Sequence, residues 1–226
     1  MSKTNKKLTP KRGSLTRKRV LRAALRIADG QGIDALSMRK LAQALGVEAM
    51  SLYNHVRNKE DVLDGIVELV AAKIEVPDSG SDWKGALRRR AISAHKVLLS
   101  HPWAAMLFVS RINVGPNMLR YVDATLGCLH TAGFSYEMAD RAWNAVDSHI
   151  YGFTLQALNF PFEASTYSET AEEYLPQLPQ DQYPFLHGLS VQVINGSHDG
   201  VQDFCFGLDL ILDSLERIHD HQAIRQ

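Results

Sequence analysis

Ser37 to Lys59 reads SMRKLAQALGVEAMSLYNHVRNK. Leu41, Ala42 and Leu45 recur at helical spacing after Ser37, a residue suited to capping a helix N-terminus. Gly46 follows, where a tight turn between two helices needs a positive φ. Val47, Leu52 and Val56 then anchor a second short helix, leaving Ala49, Met50, Ser51, Tyr53, Asn54 and His55 to face outward or sideways. Two small amphipathic helices about a glycine, the second with a polar-aromatic face, form the pattern of a helix-turn-helix, which places its second helix in the DNA major groove.

The charge distribution agrees with that reading. The 226 residues carry 25 Lys and Arg against 25 Asp and Glu, but residues 1–60 hold 14 of the basic and only 4 of the acidic ones. A basic module thus joins an acidic body, and a basic module attracts phosphate with an affinity that falls with salt. No apolar run approaches the roughly 18 residues that span a bilayer, and the polar N-terminus is not a secretory signal, so a cytoplasmic protein without a membrane partner is expected. Cys128 and Cys205, far apart in apolar surroundings, read as reduced, packed thiols.

Working outward, residues 1–14 form a Lys-rich arm, read either as a tail without a role or as an arm adding phosphate or minor-groove contacts. Thr16 caps a first helix whose buried face is Val20, Leu21, Ala24, Leu25, Ile27 and Ala28 and which ends at Asp29–Gly32. Asn58 caps a fourth helix, with Asp61 placed to close a capping box, and this helix runs towards Ile74. The stretch 77–82 (PDSGSD) is a joint, so residues 15–76 form one domain and 83–220 another.

The second domain is helical throughout by pattern. Helices are expected from Trp83 to His101, about Trp103 to Val109, from Pro116 to Ala132, and from Tyr136 to Leu158 under a Ser135 cap. Phe160 to Pro184, with four prolines, reads as an irregular excursion with one short turn of helix; His187–Asn195 and Asp199–His219 complete the set. The fold class is therefore all-α: a three-helix helix-turn-helix domain plus a larger helical domain.

On the helix-turn-helix, Ser51, Tyr53 and His55 can donate to phosphate oxygens, and Asn54 can reach a base edge. Met50 and Ala49 can touch a thymine methyl, and Arg39 a guanine or phosphate. Lys59 stands at a helix N-terminus, where charge and backbone amides together favour phosphate.

These residues carry a family resemblance. The run from Gly32 to Ala42, then Leu45–Gly46–Val47, Leu52–Tyr53–Asn54–His55–Val56 and Asn58–Lys59, closely resembles the DNA-binding domain of the tetracycline-repressor (TetR) family over about Thr16 to Ile74. By matching position the resemblance implies DNA contact by Met38, Arg39, Ala49, Met50, Ser51, Tyr53, Asn54, His55 and Lys59. It further implies a homodimeric regulator, usually a repressor released from a palindromic operator by a small-molecule effector; a ligand-independent DNA binder and a ligand-dependent activator are the alternatives. Members close to the tetracycline repressor often have Pro-Thr where this chain has Met50–Ser51, and Trp where it has Asn54, so the operator sequence does not carry over.

The body resembles the tetracycline-repressor type of ligand-binding domain more loosely, through Leu99–Ser100–His101, Ala132–Gly133–Phe134–Ser135, Gly152–Phe153 and Phe204 to Leu208. Tetracycline-binding members hold a magnesium-drug chelate with a His before a Gly-Pro-like turn; residues 109–114 offer none, and no cofactor or metal is expected. Family dimers pair two long helices into a four-helix bundle, which assigns Val201, Phe204, Leu208, Ile211, Leu212 and Leu215 to the dimer surface, a role expected to be shared with core packing. A mostly apolar pocket with a few polar anchors is expected among His95, Trp103, Met106, Phe108, Tyr121, Trp143, His149, Tyr151 and Phe153. For each of these the competing role is core filling, and His149 reads as a hydrogen-bonded core residue. His219 and His221 read as an exposed polar tail rather than as metal ligands. No Gly-rich phosphate loop, nucleophile elbow or paired-Cys metal motif supports an enzyme, and no spacing makes a triad of His95 or His101.

Overall fold

The computed structural model describes residues 14–78, 80, 82–160, 166–199 and 203–223, and among these every regular element is a helix. The N-terminal unit comprises α1 (Arg17–Gln31), α2 (Met38–Leu45), α3 (Ala49–Leu52) and α4 (Lys59–Ala71). The body follows with α5 (Trp83–Ser100), α6 (Ala104–Ser110), α7 (Pro116–Thr131), α8 (Tyr136–Leu158), α9 (Tyr167–Tyr174), α10 (Pro184–Ile194) and α11 (Phe204–Ala223). The arm at 1–13 and Val201 lie outside the described residues.

Local chemistry sets the helix starts. The side chains of Thr16, Ser37, Asn58 and Ser135 each accept a hydrogen bond from the backbone N–H three residues on, at 3.3, 3.2, 2.8 and 3.2 Å. Gly46 takes the left-handed conformation (φ 67°) that ends α2 and turns the chain into α3. Two turns differ from expectation. Asp61 does not reach back to the Asn58 amide; its carboxylate accepts from the Arg57 N–H at 2.8 Å and from Arg17, so the capping box is open. The recognition helix is a single turn, after which Tyr53, Asn54 and His55 form a turn closed by His55 N–H to Leu52 O at 2.8 Å. Glu48 at its start makes no side-chain cap, and only Leu52 of its residues is buried.

In the body, α8 lies centrally, in contact with α5, α7, α11 and α6. Ala91, Ala94, Leu98, Ala142, Val146, Ile150, Leu208 and Leu212 are wholly buried where these helices meet. A row of ion pairs, Lys84 with Asp213 (2.7 Å) and Glu216 (2.6 Å) and Arg88 with Asp209 (2.7 Å), fixes the register of α5 against α11. Partly exposed pairs of this kind contribute little energy and mainly set alignment.

Four expectations for the body are corrected. Phe204, Leu208, Leu212 and Leu215 pack in the chain's own core, with Ile211 partly buried against it, so the stripe serves core packing; among the described residues Phe206, Leu210 and Ile218 are the large apolar side chains that α11 exposes. The excursion holds a two-turn helix, α9, and α10 starts at Pro184, whose fixed φ suits a first helical position. The last helix starts at Phe204 under Asp203, whose Oδ1 accepts from the Cys205 and Phe206 amides at 2.8 and 3.2 Å. His219 is no free tail residue: it stacks on Phe134 at 4.7 Å and pairs through Nε2 with Ala132 O at 2.9 Å.

Candidate nucleic-acid interface and ligand cavity

The outer face of the helix-turn-helix is built on a small core of Leu41, Leu45, Leu52 and Val56, each 6% exposed or less. Packing these inward leaves Met50 75% and Tyr53 46% exposed, with Arg39, Asn54 and Lys59 also in solvent. Ser51 and His55 are half-buried, and Met38 and Ala49 partly cover the core beneath. All nine sequence-assigned residues thus sit on α2, on α3 with its following turn, or at the first residue of α4.

Asp61 ties this face together. Both its carboxylate oxygens accept from the Arg17 guanidinium at 2.8 Å, and Arg17 Nη1 also donates to His55 O at 3.1 Å. The Arg17 hydrogen bonds hold the Asp61 carboxyl down at about 2, with burial opposing and the Arg57 amide assisting. A carboxylate depressed from 3.8 to about 2 stabilises the fold above pH 4 and loses that contribution as pH falls through 2. Because Arg17 is half-exposed, the contribution is about 1–2 kcal/mol. Asp61→Asn is expected to flatten the stability profile between pH 4 and pH 2; an unchanged slope in acid-titrated urea melts would contradict this.

Among the described residues the N-terminal unit meets the body through several polar contacts. Asp29 at the end of α1 accepts from Trp103 Nε1 at 2.8 Å and pairs with His101 Nδ1 at 2.6 Å. Lys73 Nζ reaches His101 Nε2 at 2.8 Å, so with lysine as donor the ring carries its proton on Nδ1 and gives it to Asp29. The Glu68 carboxylate caps α7, accepting from the Asn117 and Met118 amides at 2.8 and 3.0 Å. Gly115 permits that approach, since a Cβ there would fall 2.1 Å from Glu68 Cδ. Finally Arg111, in the turn after α6, donates to Glu60 Oε2 at 2.5 Å and Asp64 Oδ1 at 2.6 Å, both on α4.

Arg111 is also a wall of a cleft of about 270 Å³ between α6, α7 and α8. Phe108, Met118, Tyr121, Val122, Trp143 and Tyr151 supply its apolar and aromatic lining; Asn113, Asn144, Asp147 and Ser148 supply polar groups. At its deep end Asp147 accepts from Arg90 Nη2 at 2.6 Å, Trp143 Nε1 at 2.7 Å and Tyr151 Oη at 3.2 Å. The Arg90 guanidinium lies over the Tyr121 ring at 4.3 Å. Burial pushes both tyrosine hydroxyls well above their ordinary range.

Of the residues assigned to a pocket from sequence, the structure brings Phe108, Tyr121, Trp143 and Tyr151 together here. His95, His149 and Phe153 form a separate aromatic cluster on Phe204, with His95 stacked at 4.2 Å and His149 Nε2 2.9 Å from Phe204 O. Trp103 belongs to the junction with α1, and Met106 is largely exposed. Asp147 and Arg111 join the cleft although neither is among the residues expected to line it. Asp147 had a readable signal: it falls midway between Trp143 and Tyr151 at four-residue steps, a charge inside an aromatic stripe.

A small helix-turn-helix carrying exposed polar and basic groups, fastened to a helical body with an aromatic cleft, defines a DNA-binding transcriptional regulator and not an enzyme. Residues 20–66 match the family described as "Bacterial regulatory proteins, tetR family", and residues 76–218 match "Tetracyclin repressor-like, C-terminal domain". The chain belongs to the tetracycline-repressor family. Among its relatives, the HTH-type transcriptional repressor DrrR1 of Streptomyces coeruleorubidus is 31% identical, over 92% of this chain and 80% of that protein. The class D tetracycline repressor protein of Escherichia coli is 33% identical over 89% of each. The crystal structure of ActR from Streptomyces coelicolor in complex with actinorhodin superposes with a TM-score of 0.76 at 28% identity, covering 90% of this chain and 96% of that one. No helix among the described residues is long and apolar enough to cross a membrane.

Proposed function

We propose that this protein is a cytoplasmic repressor that binds a palindromic operator as a homodimer and leaves it when a small molecule enters the cleft. Residues 15–76 serve DNA and residues 83–220 serve ligand and dimer. The observation that carries this reading is Arg111, which lines the cleft and pairs with Glu60 and Asp64 on α4, the helix whose first residue is Lys59. A ligand that favours one placement of Arg111 thereby favours one placement of α4. DrrR1 and the class D protein are named repressors, and ActR is seen with a small molecule bound, which supports the same reading. For the dimer, α11 offers exposed Phe206, Leu210 and Ile218, and α8 offers exposed Ala145 and Gly152.

Selection of bound fragments from a random DNA pool tests the reading. The expected product is a palindrome whose half-sites lie about one helical turn apart, bound with an affinity that falls steeply with salt. A non-repetitive site, a flat salt response or a monomer in light scattering would each overturn a named part of it.

A further inference from the structure

We propose that the effector is a flat aromatic acid, its carboxylate bound by Arg111 and a second oxygen accepting from Tyr121. This rests on the reading of the cleft as the effector site and adds the chemistry it selects.

Three observations point the same way. Among the described lining residues Arg111 is the one cation and Asp147 the one acid. Asp147 is already engaged by three donors, so a cationic ligand finds no free carboxylate. The deep end instead has donors in surplus. Tyr121 is 1% exposed, yet among the described residues its hydroxyl has no hydrogen-bond partner, and Arg90 Nε and Nη1 behind it also lack one. The Tyr151 hydroxyl lies near enough to favour the ionised form of Tyr121 by hydrogen bonding, but its own proton goes to Asp147, so it leaves the Tyr121 hydroxyl without an acceptor. A buried hydroxyl without an acceptor is costly, and a ligand oxygen would satisfy it.

Arg111 is placed to be exchanged. Asn113 Nδ2 donates to Leu107 O, Phe108 O and Arg111 O at 3.2–3.4 Å, which fixes the turn that carries Arg111. Its present partners are exposed, Glu60 by 61% and Asp64 by 50%, so the pairs are weakly held against a carboxylate delivered inside the cleft. The walls from Phe108, Trp143 and Tyr151 favour a planar ring system, and the volume suits about two or three rings. When the ligand acid takes Arg111, Glu60 and Asp64 lose their counter-ion and the hold of the body on α4 weakens. Linkage requires the reverse as well: DNA binding that needs the Arg111–α4 pairs lowers affinity for the acid.

Calorimetric titration of the full-length protein with three probes tests this: anthraquinone-2-carboxylate, its neutral carboxamide, and the cationic 2-aminomethyl analogue. The acid is expected to bind at least ~10-fold more tightly than the amide, and the cation more weakly than either. Arg111→Gln should bring the acid and the amide to similar affinity. Glu60→Gln/Asp64→Asn, which frees Arg111 without touching the cleft, should strengthen acid binding several-fold and leave the amide unchanged. If the amide or the cation matches the acid, the acid proposal fails while the effector cleft stands. If none of the three binds folded protein at millimolar concentration, the cleft reading fails and takes the proposal with it.

Discussion

Asp147→Ala is expected to destabilise the protein by about 3–5 kcal/mol, the usual cost of leaving one partner of a buried ion pair alone. Arg90 is wholly buried, and its one hydrogen bond among the described residues is the 2.6 Å contact to Asp147. Neither the Tyr121 ring nor any other neighbour can replace a carboxylate, and the same substitution strips Trp143 and Tyr151 of their acceptor. Arg90→Met combined with Asp147→Leu should recover most of the loss, since replacing a buried pair by apolar groups of similar volume is often neutral. Urea denaturation followed by far-ultraviolet circular dichroism reads both. A loss under 1 kcal/mol for the single variant, or equal losses for the single and double variants, would mean that the pair does not hold the deep end of the cleft together.

Leu52→Ala is expected to cost about 2–5 kcal/mol, and to spend that loss on the N-terminal unit. Leu52 is fully buried and is the sole buried residue of a one-turn helix whose start lacks a side-chain cap. Truncation therefore removes the anchor of Ser51, Tyr53 and Asn54 while leaving α5, α7 and α8 packed as before. Hydrogen exchange should show faster opening of α1 to α4 with unchanged protection in α8, and specific DNA binding should be lost while anthraquinone-2-carboxylate still binds. Uniform loss of protection across both units would show instead that they unfold as one.

Much of the architecture is legible along the chain. Thr16, Ser37, Asn58 and Ser135 can be recognised as caps because capping needs only a short polar side chain and the amide three residues later. The helix-turn-helix is legible for a similar reason: its pattern of buried leucines and one left-handed glycine is packed into 23 consecutive residues. The length of α3 is not, because Val56 must return to the core and bends Tyr53–His55 out of helix. Nor is the fate of the α11 stripe: apolar spacing marks Phe204, Leu208, Leu212 and Leu215 as buried but is silent on whether α5 and α8 or a second copy buries them.

Residue order thus suffices for most of the helices, their N-caps and the side chains left exposed on the helix-turn-helix, since those depend on neighbours a few positions away. The cleft depends on contacts between distant segments. Arg90 meets Asp147 across 57 positions, and Arg111 meets Asp64 and Glu60 across 47 and 51. No local periodicity encodes such a meeting. It follows from how α5, α7 and α8 pack and from where Glu68 seats α4 on α7, and this packing brings an arginine in a short turn both to the cleft and to α4.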